Sequence, residues 1–188
     1  MKISVIDNGG QWTHREWRVL RDIGVETEII PNTTPLAEID SDGLVLSGGA
    51  PRVGLDVDKM GKNGEYLEKG EIPILGICAG HQFMAIFFGG KAEASGTPEF
   101  GKATIVVEEE DDLFVGLPKK FEAWESHNDE VSELPPDFIV LAHSDNCPVQ
   151  SMKHVKKPFY GVQFHPEVEH TEHGYDIFRN FIGVCEEE

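Results

Sequence analysis

Cysteine is scarce in this chain of 188 residues, and its three cysteines lie far apart. Cys78, Cys147 and Cys185 form no Cys-x-x-Cys pair, which argues against a zinc ribbon and against a framework of disulfides. Isolated cysteines are typical of proteins in a reducing compartment, so we expect a cytoplasmic location.

Long apolar segments are also absent. No stretch approaches the roughly 18 consecutive apolar residues that a membrane-spanning helix requires. The first ten residues, MKISVIDNGG, contain one lysine and too short an apolar run for a secretory signal. We therefore expect no contact with a membrane.

Basic residues are few, since 16 lysines and arginines stand against 34 aspartates and glutamates, for a formal net charge of -18. A surface this acidic repels the phosphates of DNA and RNA, which argues against a nucleic-acid partner. The acidic runs at residues 108–112 and 186–188 are most simply explained as solvated surface.

Apolar residues follow the alternation of an α/β protein. In the first half of the chain, short apolar runs alternate with segments of helical spacing, which predicts βαβ units and an open, mostly parallel sheet with helices on both faces. The short strands that follow predict a small antiparallel β addition, as an edge or an added sheet. We expect one domain over residues 1–188. The predicted strands cover residues 2–7, 25–30, 43–49, 72–77, 102–109, 119–126, 137–144, 148–152 and 158–164, and the predicted helices residues 12–23, 57–69, 81–90 and 174–184.

The segment GICAGHQ places a cysteine between two glycines at the junction of a predicted strand and helix. Gly76 and Gly80 allow the sharp turn of a nucleophile elbow, in which the central side chain stands free at the end of a strand. The start of the helix favours a thiolate there, and the amide of Ala79 is placed to stabilise an oxyanion. Cys78 is therefore a candidate nucleophile, with a packing role for a small buried cysteine as the alternative.

A base and its orienting partner are offered by the segment VQFHPE. His165 follows an apolar strand, and Glu167 lies two residues beyond it, where an extended turn points both side chains the same way. A carboxylate in that place fixes the tautomer of the imidazole and stabilises its charged form. A capping role for His165 at the strand end is the alternative. The SGG segment offers a further backbone donor, from Gly48 or Gly49.

The segment HPEVEHTEH also raises a metal site as an alternative. His170 and His173 are three residues apart and could share one face of a helix, close to His165 and Glu167. Zinc sites need three or four converging ligands, and no other segment clearly supplies the rest. We therefore expect no metal.

Together, GICAGHQ, VQFHPE and SGG resemble the class I (triad) glutamine amidotransferases in their order and separation. The resemblance runs over essentially the whole chain. It implies a flavodoxin-like fold and the hydrolysis of glutamine to glutamate and ammonia. It also implies a catalytic triad of Cys78, His165 and Glu167, and an oxyanion hole formed by the amides of Gly49 and Ala79.

The resemblance assigns further residues to the substrate. Gln82 would help to hold glutamine, and a loop at residues 126–129 would bind its amino-acid end. Ala79 stands where the family often has a bulkier residue, but the expected role belongs to its amide rather than its side chain. The residues of the expected loop are Ser126, His127, Asn128 and Asp129.

Within the family, VQFHPEVEHTEHG, WESHNDEV and AHSD are most similar to the glutaminase subunits of two-chain, archaeal-type GMP synthetases. This similarity implies a heterodimer with a separate ATP-pyrophosphatase (synthetase) subunit that activates XMP. The chain has no glycine-rich phosphate loop, so we expect no cofactor in it and place ATP and Mg²⁺ on the partner subunit. An amidotransferase subunit of anthranilate or aminodeoxychorismate synthase, or a related cysteine hydrolase, is the alternative.

Overall fold

One nine-stranded sheet runs through residues 1–187, the part of the chain that this computed structural model describes. Its strands in chain order are β1 (Lys2–Asn8), β2 (Glu26–Pro31), β3 (Gly43–Gly49), β4 (Ile74–Ile77), β5 (Lys91–Val107), β6 (Lys120–Glu133), β7 (Phe138–His143), β8 (Ser151–His154) and β9 (Phe159–Val162). Across the sheet they follow the order β2-β1-β3-β4-β9-β8-β7-β5-β6.

The five strands from β2 to β9 in that order are parallel. Every residue of β4 and β9 is buried, and so is all of β3 except its last glycine. Continuous apolar strands of this kind are typical of parallel sheets that are covered on both faces. The predicted α/β architecture is confirmed.

Four α-helices cover the two faces of the parallel region: α1 (Thr13–Ile23), α2 (Asn63–Lys69), α3 (Ala79–Phe87) and α4 (Gly174–Glu187). Helices α1 and α4 share one apolar core with Val45, whereas α2 and α3 share the other with Leu44 and Leu46. Neighbouring residues of β3 divide in this way because successive side chains of a strand point to opposite faces. None of the helices in residues 1–187 combines the length and apolarity that crossing a bilayer requires.

The antiparallel addition comprises the four strands β8, β7, β5 and β6, and it continues the same sheet. Strands β5 and β6 are longer than predicted because they pair along most of their length, on both sides of an irregularity between Ala94 and Glu99. Residues 126–129 lie inside β6, so the prediction of a loop there was wrong. Backbone pairing of Asp129 with Ala94 and of Ser126 with Phe100 keeps this segment extended.

The predicted helix over residues 57–69 is interrupted. A short 3-10 helix at Val57–Met60 precedes α2, and Gly61 separates them with a φ of 54°. That positive φ ends the first helical turn, and a Cβ at this position would lie 2.5 Å from the carbonyl oxygen of Asn32. Glycine is the residue that adopts such a conformation without steric cost.

Candidate active site

Three of the predicted segments meet at the carboxyl end of the parallel strands. Strand β3 ends at Gly49, β4 ends directly before Cys78, and the segment that contains His165 follows β9. These three strands are neighbours in the sheet, as is usual for sites of open α/β proteins. A Cβ placed on Gly48 would lie 3.3 Å from Cε1 of His165 and 3.7 Å from Cβ of Cys78. The fold therefore brings the glycine turn, the thiol and the imidazole together.

The turn at Cys78 has the geometry of a nucleophile elbow. Cys78 has φ 49° and ψ -103°, a conformation that costs energy for a residue with a side chain. A Cβ on Gly76 would lie 2.7 Å from the carbonyl carbon of Gly80, and a Cβ on Gly80 would lie 2.2 Å from the oxygen of Leu46. Both glycines are thus required for β4, α3 and β3 to approach one another.

Helix α3 begins at Ala79, directly after the cysteine. The first amides of a helix have no partner within it, and together with the helix dipole they favour negative charge at Cys78. The amide of Cys78 itself donates to the carbonyl of Val162, 2.9 Å away, and its carbonyl accepts from the amide of Gln82 at 3.0 Å. The backbone on both sides of the thiol is therefore fixed.

His165 and Glu167 form a close buried pair, with 2.6 Å between Nδ1 and Oε1. This bond leaves Nε2 of the imidazole for the thiol of Cys78. Burial by itself lowers the pKa of His165, but the charge of Glu167 and the hydrogen bonds with Cys78 and Glu167 outweigh it and raise the pKa well above its ordinary value. This environment therefore favours the protonated form of His165.

The other side of the thiol faces a chain of two glutamines. Nε2 of Gln163 donates to Sγ of Cys78 at 3.5 Å, and Oε1 of Gln163 accepts from Nε2 of Gln82 at 3.1 Å. Nε2 of Gln82 also donates to the carbonyl of Asp129 at 2.8 Å. Sequence reasoning missed Gln163, although it lies two residues before His165, the spacing that places two side chains on one face of an extended segment.

A cleft of about 110 Å³ opens beside the thiol. At its far wall, the carboxylate of Asp129 accepts two hydrogen bonds from Arg52, at 3.0 Å from Nε and 2.7 Å from Nη2. Sequence reasoning missed Arg52, which no local motif marks. With Cys78, the cleft is lined by every predicted oxyanion and substrate residue: Gly49, Ala79, Gln82, Ser126, His127, Asn128 and Asp129.

A second, smaller cavity of about 80 Å³ lies against the same thiol, on the side of Trp12 and Glu16. Oε1 of Glu16 accepts from the amide of Gly48 at 3.3 Å, and Oε2 has no hydrogen-bond partner. Burial, followed by the charge of Glu167, raises the pKa of Glu16 well above its ordinary value. Sequence reasoning missed this residue, although a glutamate on the apolar face of a helix is an unusual signal.

The alternative metal cluster is not assembled. The ring of His170 lies against Trp124, with 5.0 Å between their centroids, and Nδ1 of His173 lies 3.2 Å from Oδ2 of Asp176. Elsewhere within residues 1–187, one group of three possible metal ligands does lie close together; it consists of Glu99, His127 and Cys147.

Comparison with known proteins decides the family. The family model described as glutamine amidotransferase class-I matches residues 4–184. The chain belongs to the class-I glutamine amidotransferases. The family predicted from the cysteine turn and the HPE segment is thereby confirmed.

Several relatives of this amidotransferase are GMP synthase subunits by name. The glutamine-hydrolysing GMP synthase subunit of Thermoplasma volcanium is 53% identical over 188 residues, which cover all of this chain and 93% of the relative. The subunit of the same name from Pyrococcus abyssi is 52% identical over 191 residues, which cover 98% of this chain and 99% of the relative.

Solved structures agree with the fold of this amidotransferase. A crystal structure of a GMP synthase subunit from Thermoplasma acidophilum has a TM-score of 0.95 at 53% identity and covers all of this chain and 94% of its own. A glutamine amidotransferase from Thermotoga maritima, only 19% identical, has a TM-score of 0.75, covers all of this chain and 83% of its own, and supports the fold alone.

Proposed function

We propose that this chain is the glutamine-hydrolysing subunit of a two-chain GMP synthase. Relatives of that name are 52–54% identical to it over nearly their full length. In this proposal, ammonia passes to a separate synthetase subunit, bound as a heterodimer in the cytoplasm. That subunit uses ATP and Mg²⁺ to activate XMP, which the ammonia converts to GMP.

The observation that carries the chemistry is the elbow of Cys78 beside the His165–Glu167 pair. Nε2 of His165 takes the proton of the thiol, and Sγ attacks the side-chain carbonyl carbon of glutamine. The amides of Gly49 and Ala79 stabilise the negative oxygen that forms. Glu167 holds the imidazole through Nδ1 and stabilises its positive charge, as the acidic member of a triad does.

The same imidazole completes the reaction. The imidazolium of His165 gives its proton to the leaving nitrogen, so the C–N bond breaks and ammonia departs, leaving a thioester on Cys78. A water molecule then loses a proton to His165 and attacks the thioester carbonyl. The C–S bond breaks, glutamate leaves, and the proton returns to the sulfur.

Recognition of glutamine belongs to the cleft beside the thiol. The substrate carries an α-carboxylate and an α-ammonium group, and the cleft presents a guanidinium on Arg52 and a carboxylate on Asp129. We propose that glutamine opens this ion pair and binds one partner with each of its charged groups. Gln82, together with Ser126 and Asn128 on β6, completes the wall of the cleft.

Labelling with a diazoketone analogue of glutamine tests the nucleophile. We expect one adduct per chain, on Cys78, and no glutamine hydrolysis by Cys78→Ala. Cys147 and Cys185 should remain unmodified because both are buried, and burial raises the pKa of both thiols, to about 12 for Cys185. An adduct on either of these with Cys78 intact would overturn the assignment.

The acceptor is tested by reconstitution with the synthetase subunit, XMP, ATP and Mg²⁺. We expect GMP from either glutamine or ammonium with the wild-type chain, and from ammonium alone with Cys78→Ala. Failure of the wild-type complex to make GMP from glutamine, while ammonium still supports synthesis, would assign the chain to another acceptor.

A further inference from the structure

The group formed by Glu99, His127 and Glu125 lies directly behind the glutamine cleft. Residues 95–98 bulge out between the paired stretches of β5 and β6, and this irregularity places Glu99 opposite His127. Glu125 and His127 share a face of β6 because they are two residues apart. The side chains of all three are at most 5% exposed.

The two ring nitrogens of His127 have different hydrogen-bond partners. Nδ1 lies 3.0 Å from the carbonyl oxygen of Asp129, which can only accept, so Nδ1 carries a proton. Nε2 lies 2.9 Å from Oε2 of Glu99. Glu99 also accepts from the hydroxyl of Ser144 at 2.7 Å and from the amide nitrogen of Gln150 at 2.8 Å. Both ring nitrogens of His127 thus face oxygen atoms, and the imidazole bridges the Asp129 carbonyl and the Glu99 carboxylate.

Two buried carboxyl groups flank Nε2 of His127, and their pKa values are shifted in opposite directions. Burial tends to raise the pKa of Glu99, but its bonds from His127, Ser144 and Gln150 outweigh this and lower the pKa. Burial, followed by the charge of Glu99, raises the pKa of Glu125 well above its ordinary value, and Oε2 of Glu125 lies 3.3 Å from Nε2 of His127. Glu99 is therefore the carboxyl group that more readily stays ionised beside Nε2 of His127.

The position of His127 links this group to the glutamine cleft. The carbonyl of Asp129 accepts from both His127 and Gln82, so two side chains from opposite sides fix one peptide group. That peptide carries the carboxylate that pairs with Arg52. The same Gln82 orients Gln163, which donates to the sulfur of Cys78.

We propose that His127 is a positioning residue for glutamine binding, which acts by holding the Asp129 carbonyl while Glu99 holds the imidazole. This proposal rests on the proposed hydrolysis of glutamine. In this role the imidazole of His127 does not contact the substrate, because it is 1% exposed and both of its ring nitrogens already have partners. The chemistry of Glu99, His127 and Cys147 also favours this positioning role over a metal site. The ligand atoms of Glu99 and His127 are used in hydrogen bonds, and burial, the largest cause, raises the pKa of the Cys147 thiol.

Two substitutions separate the bonds of His127. His127→Gln places an amide where Nε2 lies and can still reach Glu99, but it loses the donor to Asp129. His127→Asn places an amide where Nδ1 lies, restores the donor to Asp129 and loses Glu99. The rate at which the diazoketone analogue inactivates each variant is measured over a range of analogue concentrations, which gives a half-saturating concentration and a maximal rate of inactivation. Each variant is also alkylated with iodoacetamide, a reaction that needs the thiolate of Cys78 but not the glutamine cleft.

We expect His127→Gln to raise the half-saturating concentration about tenfold to a hundredfold, the effect of removing one partner of a buried hydrogen bond. Its maximal rate and its alkylation rate should stay within about threefold of wild type. His127→Asn should bring the half-saturating concentration back to within about threefold. The proposal would be overturned if His127→Gln left the half-saturating concentration unchanged, or if both variants raised it equally. It would also be overturned if alkylation by iodoacetamide slowed by as large a factor as the half-saturating concentration rose.

Ser144→Ala serves as the matched control, since it removes a different bond to Glu99 and leaves both bonds of His127 in place. We expect a lower Tm without a change in the half-saturating concentration; an increase as large as that of His127→Gln would overturn the proposal. One equivalent of zinc bound to the purified wild-type protein would also overturn the proposal. If the wild-type chain is not labelled on Cys78 at all, the proposed function fails. If it is labelled and His127→Gln behaves like wild type, only this inference fails.

Discussion

Two histidine–carboxylate pairs are buried within residues 1–187, and their histidines use different ring nitrogens for the carboxylate. In one, Nδ1 of His165 lies 2.6 Å from Glu167, and in the other, Nε2 of His127 lies 2.9 Å from Glu99. What differs is the atom that the remaining ring nitrogen faces. His165 is left with the thiol of Cys78, which can release a proton, whereas His127 donates to a backbone carbonyl, which cannot. The first pair is suited to proton transfer and the second to holding a peptide group in place.

A further buried carboxyl group accompanies each pair. Glu16 lies beside His165 and Glu167, and Glu125 lies beside His127 and Glu99. Burial raises the pKa of both additional acids well above the ordinary value. A buried histidine–carboxylate pair with an acid of raised pKa beside it is therefore not a sufficient sign of catalysis. The group that faces the other ring nitrogen distinguishes the two pairs.

The largest effect that separates the two pairs is the loss of the histidine itself. We expect His165→Ala to lower kcat for glutamine hydrolysis by about a thousandfold or more, because no other group takes the thiol proton. His127→Ala should act mainly on KM, by about tenfold to a hundredfold. Steady-state kinetics of both variants, with circular dichroism as the control for folding, make the comparison. Equal losses of kcat would show that the two pairs do not differ in the way described.

A smaller effect is expected for the carboxylates. Glu167→Gln should lower kcat by about a hundredfold or more, since the amide no longer stabilises the imidazolium. The titration midpoint of His165, followed by NMR, should move to lower pH because the charge of Glu167 raises its pKa. Glu99→Gln should leave that midpoint unchanged and cost less than about tenfold in kcat. If the midpoint moves as far in Glu99→Gln, the two pairs are coupled and the comparison fails.

The smallest effect concerns stability and the two additional acids. Their pKa values are higher in the folded protein than the value of about 4.3 in an unfolded chain. Each acid therefore destabilises the fold increasingly as pH rises above that value, and not below it. Glu16→Gln and Glu125→Gln remove this cost, so the gain in Tm should be near zero at pH 4 and grow toward pH 8.

Differential scanning calorimetry measures this gain, and each kcal/mol corresponds to about 2–4 °C in a chain of this length. The exposed Glu109 offers a control, because Glu109→Gln should give no such trend. A gain that is constant from pH 4 to pH 8, or largest at pH 4, would contradict the proposed protonation of both acids.

The two pairs also mark what the sequence could and could not predict. The meeting of Cys78 and His165 was predictable because each follows a buried parallel strand, and a separation of two residues places the carboxylate of Glu167 beside the imidazole. The partners Glu99 and His127 are 28 residues apart, and their pairing depends on an irregular register that no local pattern reveals. Arg52 and Asp129 are 77 residues apart and meet only after folding.

The strands show the same division. The buried parallel strands were predicted to within about two residues because both of their faces need apolar side chains. Strands β5 and β6 are partly exposed and mix polar with apolar residues, so their apolar signal is weaker and their predicted lengths were too short. The helix over residues 57–69 was predicted without a break, because the positive φ of Gly61 and its closeness to the backbone of Asn32 are not visible in the sequence.

The backbone at Cys78 has an evolutionary consequence. Its φ of 49° is one that glycine adopts freely and cysteine does not. A lineage selected for thermal stability alone would therefore be expected to exchange this cysteine for glycine, which would give a more stable protein without the proposed nucleophile. Retention of the thiol therefore depends on continuing selection for glutamine hydrolysis. In a gene copy that is no longer under this selection, we expect Cys78 to be among the first positions to be substituted.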